Sequence, residues 1–177
     1  MPIPDHHRVS LTRAGIYLPF HEMILANMPG GNAVIEALPK YAEIKKGKGL
    51  TFIGVSVPCG EAFFVCAKDL HLAGIKCRMV TTTKLARAIT KDANILDEWA
   101  EADALFVDRF FVARKPTSEC PFRGYEVDGI EEFLGERLSK RRAVFLKADA
   151  IVTPELGWWS EGFLKHVSDA NSVVKVL

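Results

Sequence analysis

Residues 49–65, GLTFIGVSVPCGEAFFV, limit the possible folds more than any other stretch. Residues 50–53 are a short apolar run rich in strand formers. Residues 54–60 break it with Gly54, Pro58 and Gly60, and residues 62–72 read as a helix stopped by Gly74. Strand, glycine loop, helix is the layout in which backbone N–H groups and a helix N-terminus face a phosphate. The working motif is G-x-x-x-x-G-K-[ST], but Glu61 and Ala62 follow Gly60 here. The phosphate-binding ammonium is replaced by a carboxylate, and the magnesium-binding hydroxyl by a methyl.

The chain has 177 residues, which suits one domain over residues 1–177 with residues 1–31 as an irregular lead-in. With 49% apolar and 25% charged residues the composition is that of a globular domain rather than a disordered one. A net charge of +1 gives no global field toward nucleic acid or membrane, so any such binding rests on local patches. No apolar run approaches the roughly 20 residues of a membrane span. The start, MPIPDHHRVS, lacks the charged and apolar regions of a signal peptide. Cys59, Cys66, Cys77 and Cys120 form no C-x-x-C pair, which predicts reduced thiols and a cytoplasmic protein. Cys66 and Cys77 read as core, and Cys59, in the loop, is the thiol to test for reactivity. His6 and His7 alone define no coordination sphere, and no metal site is expected.

Along the chain, a helix is expected from Asn32, with Val34, Ile35, Leu38 and Tyr41 on one face and Pro39 kinking or splitting it. Residues 45–49 form a charged turn. Residues 76–81 read as a strand, and Thr82 and Thr83 as caps for a helix over 84–89. Residues 93–100 are helical, and 104–108 form a buried strand ending in Asp108. A loop spans 110–125, and Asp128 caps a helix from Gly129 to about Lys140. A strand covers 143–146, Thr153 and Pro154 open a helical turn, and a helix over 161–167 precedes a last strand at 172–177. Alternating strands and helices predict a three-layer α/β fold with a parallel sheet, whose ligands meet the C-terminal strand ends. The loop at 54–60, Asp108 and Asp149 all fall there.

This order resembles the AAA+ core of bacterial replicative helicase loaders of the DnaC/DnaI type and the related transposition ATPase IstB. The likeness is carried by KYAEIKKGKGLTFIGVSVPCGEAFFVCAKDLHLAGIKCRMVTTTKLARAI, and spans nearly the whole chain. Residues 13–17 look like the segment that introduces the domain, and 104–108 like Walker B. Residues 145–149 look like the strand ending in sensor 1, and 163–167 like the helix bearing the arginine finger. The resemblance implies a P-loop NTPase (AAA+/RecA-like) core without a lid domain. It also implies that the catalytic positions depart together. Glu61 and Ala62 replace the lysine and hydroxyl, and Arg109 the second Walker B acid. Asp149 stands where the sensor asparagine is expected and His166 where the finger is expected, so only Asp108 survives. Val55, Val57 and Pro58 take loop places where loaders use glycine or need an N–H.

Losing the lysine and gaining Glu61 each cost on the order of a few kcal/mol against a triphosphate. Together they remove most of a micromolar affinity, about 8 kcal/mol. The expectation is a non-hydrolysing accessory protein of DNA replication, with ATP and magnesium lost as cofactors. Its partners would be the replicative helicase or its loader; the oligomeric state stays open. Two other readings stand beside it: an active loader-type ATPase with an atypical site, and a nucleic-acid-binding accessory protein. The last draws on Lys45, Lys46 and Lys48 in one cluster and Lys140, Arg141 and Arg142 in another, since loaders of this family bind single-stranded DNA. Solvated turn and helix end is the plainer reading of both clusters. Trp158–Trp159 and Phe110–Phe111 read either as core edge or as partner-facing aromatics.

Overall fold

Five short runs rich in apolar and β-branched residues become the strands of one sheet: β1 (Gly49–Ile53), β2 (Cys77–Thr81), β3 (Ala104–Phe110), β4 (Ala143–Ala148) and β5 (Asn171–Lys175). The computed structural model describes residues 3–54, 56–110, 122, 124–149 and 159–176. Strand order is β2-β3-β4-β1-β5 and every pairing is parallel, as in β1 against β5, where Thr51 faces Val173. Near-continuous burial along β1, β3 and β4 is what a sheet covered on both faces requires.

One face carries α1 (Asp5–Arg13), α2 (Gly31–Ala37), α3 (Tyr41–Ile44) and α4 (Val57–Leu72). The other carries α5 (Thr82–Lys91), α6 (Ala93–Ala100), α7 (Gly124–Ser139) and α8 (Glu161–Ala170). Side chains alternate between the faces along β3: Phe106 points toward α4, while Leu105 and Val107 point toward the other helices. Under α4, Phe106 stacks on Phe145 at 4.4 Å between centroids, and Phe63 meets Phe52 and Phe106 edge-on, each at 5.2 Å. On the far face the buried Arg137 guanidinium donates to the carbonyls of Trp99 (2.5 Å), Ala100 (3.0 Å), Ala102 (3.0 Å) and Ala143 (3.1 Å). It ties the end of α6 to the start of β4, and burial pulls its pKa down to about 10.

Several expected boundaries move. The lead-in is not irregular: it contains α1 and two single-turn helices at Leu18–Phe20 and Leu25–Asn27, with Leu11, Ile16 and Leu25 in the core. Its Ala14 carbonyl accepts from the Met79 N–H at 2.8 Å, so the segment covers the β2 edge. The helix expected from Asn32 is split at Pro39, because Leu38 before the proline is pushed to extended geometry. Its predicted face is not one face, since Val34 is buried whereas Ile35 and Tyr41 are exposed. The cap of α5 is Thr81, which accepts from the Lys84 N–H; Thr82 instead donates its hydroxyl to the Arg109 carbonyl at 2.9 Å. Asp128 lies within α7 rather than capping it, and Gly129 is there for packing, since a Cβ would lie 2.6 Å from Ile89.

β3 runs on through Phe110, which is buried and stacks on the buried Trp159 at 4.7 Å. Both residues therefore line the core edge, whereas Phe111, Trp158, Cys120, Thr153 and Pro154 lie outside the described residues. Cys66 and Cys77 are core, as expected, and their thiols are pushed up by burial.

Candidate nucleotide site

The expected loop over 54–60 is largely helix. β1 ends at Ile53 and α4 begins at Val57, five residues before the expected start at Ala62. Ser56 caps the helix, its hydroxyl accepting from the Cys59 N–H at 3.3 Å. Pro58 in the first turn gives up no bond there, because that N–H has no partner within a helix anyway. The Gly60 N–H donates to the Ser56 carbonyl at 3.2 Å. A phosphate cradle needs a row of outward N–H groups, and here Pro58 has none while those of Cys59 and Gly60 are used internally. Gly54, at φ 152°, lets the chain pass between β5's end and α4, since a Cβ would lie 2.9 Å from the Val176 carbonyl and 3.2 Å from the Cys59 sulfur. Glu61 is half-buried and Ala62 fully buried on α4.

Asp108 projects from the end of β3, where the register with β4 shifts between Val107 and Phe110 and Arg109 takes a left-handed φ of 58°. Its Oδ1 accepts from the Arg109 N–H at 2.9 Å and from Lys147 Nζ at 3.0 Å. The Arg109 guanidinium is mostly exposed and stands 3.8 Å from Oδ2. Lys147 comes from β4, reaches across the strand ends and passes over α4's first turn: its Nζ lies 3.9 Å from where a Cβ on Gly60 would be. Only 17% of the Lys147 side chain and 12% of the Asp108 side chain are exposed, so this is a largely desolvated ion pair. Chemically, Asp108 already has a cation beside it, the ammonium supplied by the neighbouring strand.

Cys59 sits in the same place and is fully buried, not loop-exposed. Burial raises its thiol pKa, Lys147 pulls it back and Asp108 raises it further, which disfavours the reactive thiolate. Asp149 is half-buried directly after β4. His166 is half-buried on α8, on the sheet face away from α4. The sequence reading missed Lys147. Its signal was a lysine inside the otherwise apolar strand AVFLKA, which demands a carboxylate partner, and Asp108 was the strand-end acid available.

The two basic clusters meet at the opposite, N-terminal end of the sheet. A Cβ on Gly47 would lie 2.8 Å from the Arg141 Cα, so the turns stand back to back. Part of their charge is spent internally: Lys45 and Arg142 face Asp103 at 2.6 and 3.5 Å, and Lys140 pairs with Glu136 at 2.5 Å. Lys48 Nζ donates to the Asp169 carbonyl at 2.9 Å, while Lys46 and Arg141 are exposed.

A five-stranded parallel sheet in this order, with helices on both faces, an acid at the end of β3 and a helix packed after β1, is a three-layer α/β fold. No family model and no curated protein matches the chain. Solved structures do. The DnaC helicase loader superposes with a TM-score of 0.63 at 13% identity, over 82% of this chain and 85% of that one. DnaI gives 0.65 at 15% identity, over 89% and 87%. DnaA from Aquifex aeolicus, bound to AMPPCP, gives 0.60 at 11% identity over 82% of this chain and 45% of that one; the chain thus spans about half of DnaA. The chain therefore carries the AAA+ core fold of the DnaC/DnaI type. Among the described residues no helix is long and apolar enough to cross a membrane.

Proposed function

We propose that this chain is a non-hydrolysing AAA+-type accessory protein of DNA replication that acts by binding other proteins. The observation that carries the reading is the Lys147–Asp108 pair at 3.0 Å beside a loop wound into helix. Magnesium at Asp108 would have to displace an ammonium already held there, and a triphosphate would meet Glu61 with few outward N–H groups. The replication role and the choice of partner, a replicative helicase or its loader, draw on the DnaC and DnaI likeness in fold.

Thermal shift with millimolar Mg-ATP tests the first half: no change in Tm is expected, and a rise of several degrees overturns it. Pull-down with the host helicase and loader tests the second. A single-stranded DNA role is favoured by one observation, the fusion of the two basic turns through Gly47 and Arg141 into one face. A salt-dependent affinity for oligo(dT), lost in Lys46→Glu/Arg141→Glu, is its signature.

A further inference from the structure

Away from the strand ends, α5 and α6 enclose a groove of about 310 Å³. Its floor is apolar, formed by Ala88 on α5 and by Ile95 and Trp99 on α6. Its rim is a row of cations, Lys84, Arg87 and Lys91, all exposed and spaced three and four residues apart on one face of α5. Among the described residues none of the three side chains makes an ion pair or hydrogen bond. The acid in the groove, Asp92, is committed to capping α6, its Oδ1 accepting from the Ile95 N–H at 3.2 Å. By contrast, Arg78 meets Glu98 at 2.6 Å and Lys140 meets Glu136 at 2.5 Å. The row along α5 is therefore a stripe of unanswered charge beside an unfilled apolar trough.

We infer that this groove is the docking site of an acidic amphipathic helix from a partner protein, its apolar side chains on Ile95 and Trp99 and its carboxylates along Lys84, Arg87 and Lys91. Lys84 and Lys91 are seven residues apart, about 10 Å along the axis, which matches carboxylates two turns apart on a docked helix. Complementary charge sets orientation and on-rate, and the apolar floor supplies burial. A nucleic-acid backbone fits less well, because its phosphates would meet no like-sign repulsion here but offer the apolar trough no side chain to bury.

The test uses the full chain and three labelled probes. The first is a synthetic helix of about 16 residues, with leucines at i, i+3, i+4 and i+7 flanked by glutamates. The second is the same peptide with glutamines in place of the glutamates, and the third is oligo(dT). The acidic peptide should bind about tenfold or more tighter than its glutamine version. It should weaken by a similar factor in Lys84→Glu/Arg87→Glu/Lys91→Glu, an exposed set expected to leave the circular dichroism and Tm unchanged. Ile95→Ser should weaken both peptides alike, and backbone amide resonances should shift at residues 84–99. No binding of the acidic peptide, equal binding by the charge-reversed protein, or shifts centred on residues 45–48 and 140–142 would each overturn the assignment. So would oligo(dT) binding through these three cations while the peptide fails.

Discussion

Replacing Lys147 by methionine isolates the pair at the strand ends. The change keeps most of the side chain's length and removes only the charge, leaving the Asp108 carboxylate, 12% exposed, with the Arg109 N–H and a guanidinium 3.8 Å away. Breaking a fully buried pair costs about 3–5 kcal/mol; with both groups touching solvent at their edges, about 2–4 kcal/mol is expected. In a domain of this size each kcal/mol moves Tm by roughly 2–4 °C, so the variant should melt about 4–16 °C lower. Asp108→Asn in the same background should restore much of the loss, because no uncompensated charge then remains. Urea unfolding of parent, both single variants and the double variant gives the coupling directly. A Lys147→Met loss under about 0.5 kcal/mol, or simple additivity in the double variant, would show that the ammonium is a bystander and that Asp108 is open to another cation.

Other outcomes follow from features outside that site. Arg137→Met should cost about 3–5 kcal/mol by urea unfolding, because four carbonyls on α6, β4 and the turn between α6 and β3 lose their donor; Arg137→Lys should recover part of it. His71, whose Nε2 shares a hydrogen bond with Ser10 Oγ at 2.8 Å, has a pKa held below 6.5, first by burial and then by Arg78 and His7. The unfolded state therefore takes up the proton first, so this contribution is complete above pH 6.5 and is lost as pH falls below it, by at most about 1.4 kcal/mol per pH unit. Melting curves between about pH 7.5 and 5.5 should show that slope in the parent and a shallower one in His71→Gln, and parallel slopes would refute the assignment.

The fold was legible because strand and helix periodicities are strong here: all five strands were found, each within two residues of its bounds. The loop was misread because glycine and proline carry two meanings. Gly54 does break the chain, but Pro58 and Gly60 are tolerated inside a first helical turn, and only Ser56 at the preceding position tells the two apart. Asp108 was visible as the last residue of an apolar run and Lys147 as a lysine inside another, whereas their pairing was not. The Lys147–Asp108 contact joins strands 39 residues apart, and no local pattern encodes it. The same holds for Gly47 and Arg141, two unremarkable turns until the sheet sets one upon the other.

The contact between Ala14 and Met79 redraws the unit that can be cut out and studied. A boundary at the Gly30–Gly31 pair looks natural from composition, yet it would strip Leu11, Ile16 and Leu25 from the interior and leave a strand flank bare. A shortened clone starting there would present unpaired backbone to its copies and precipitate, a failure traceable to the trimming rather than to the domain.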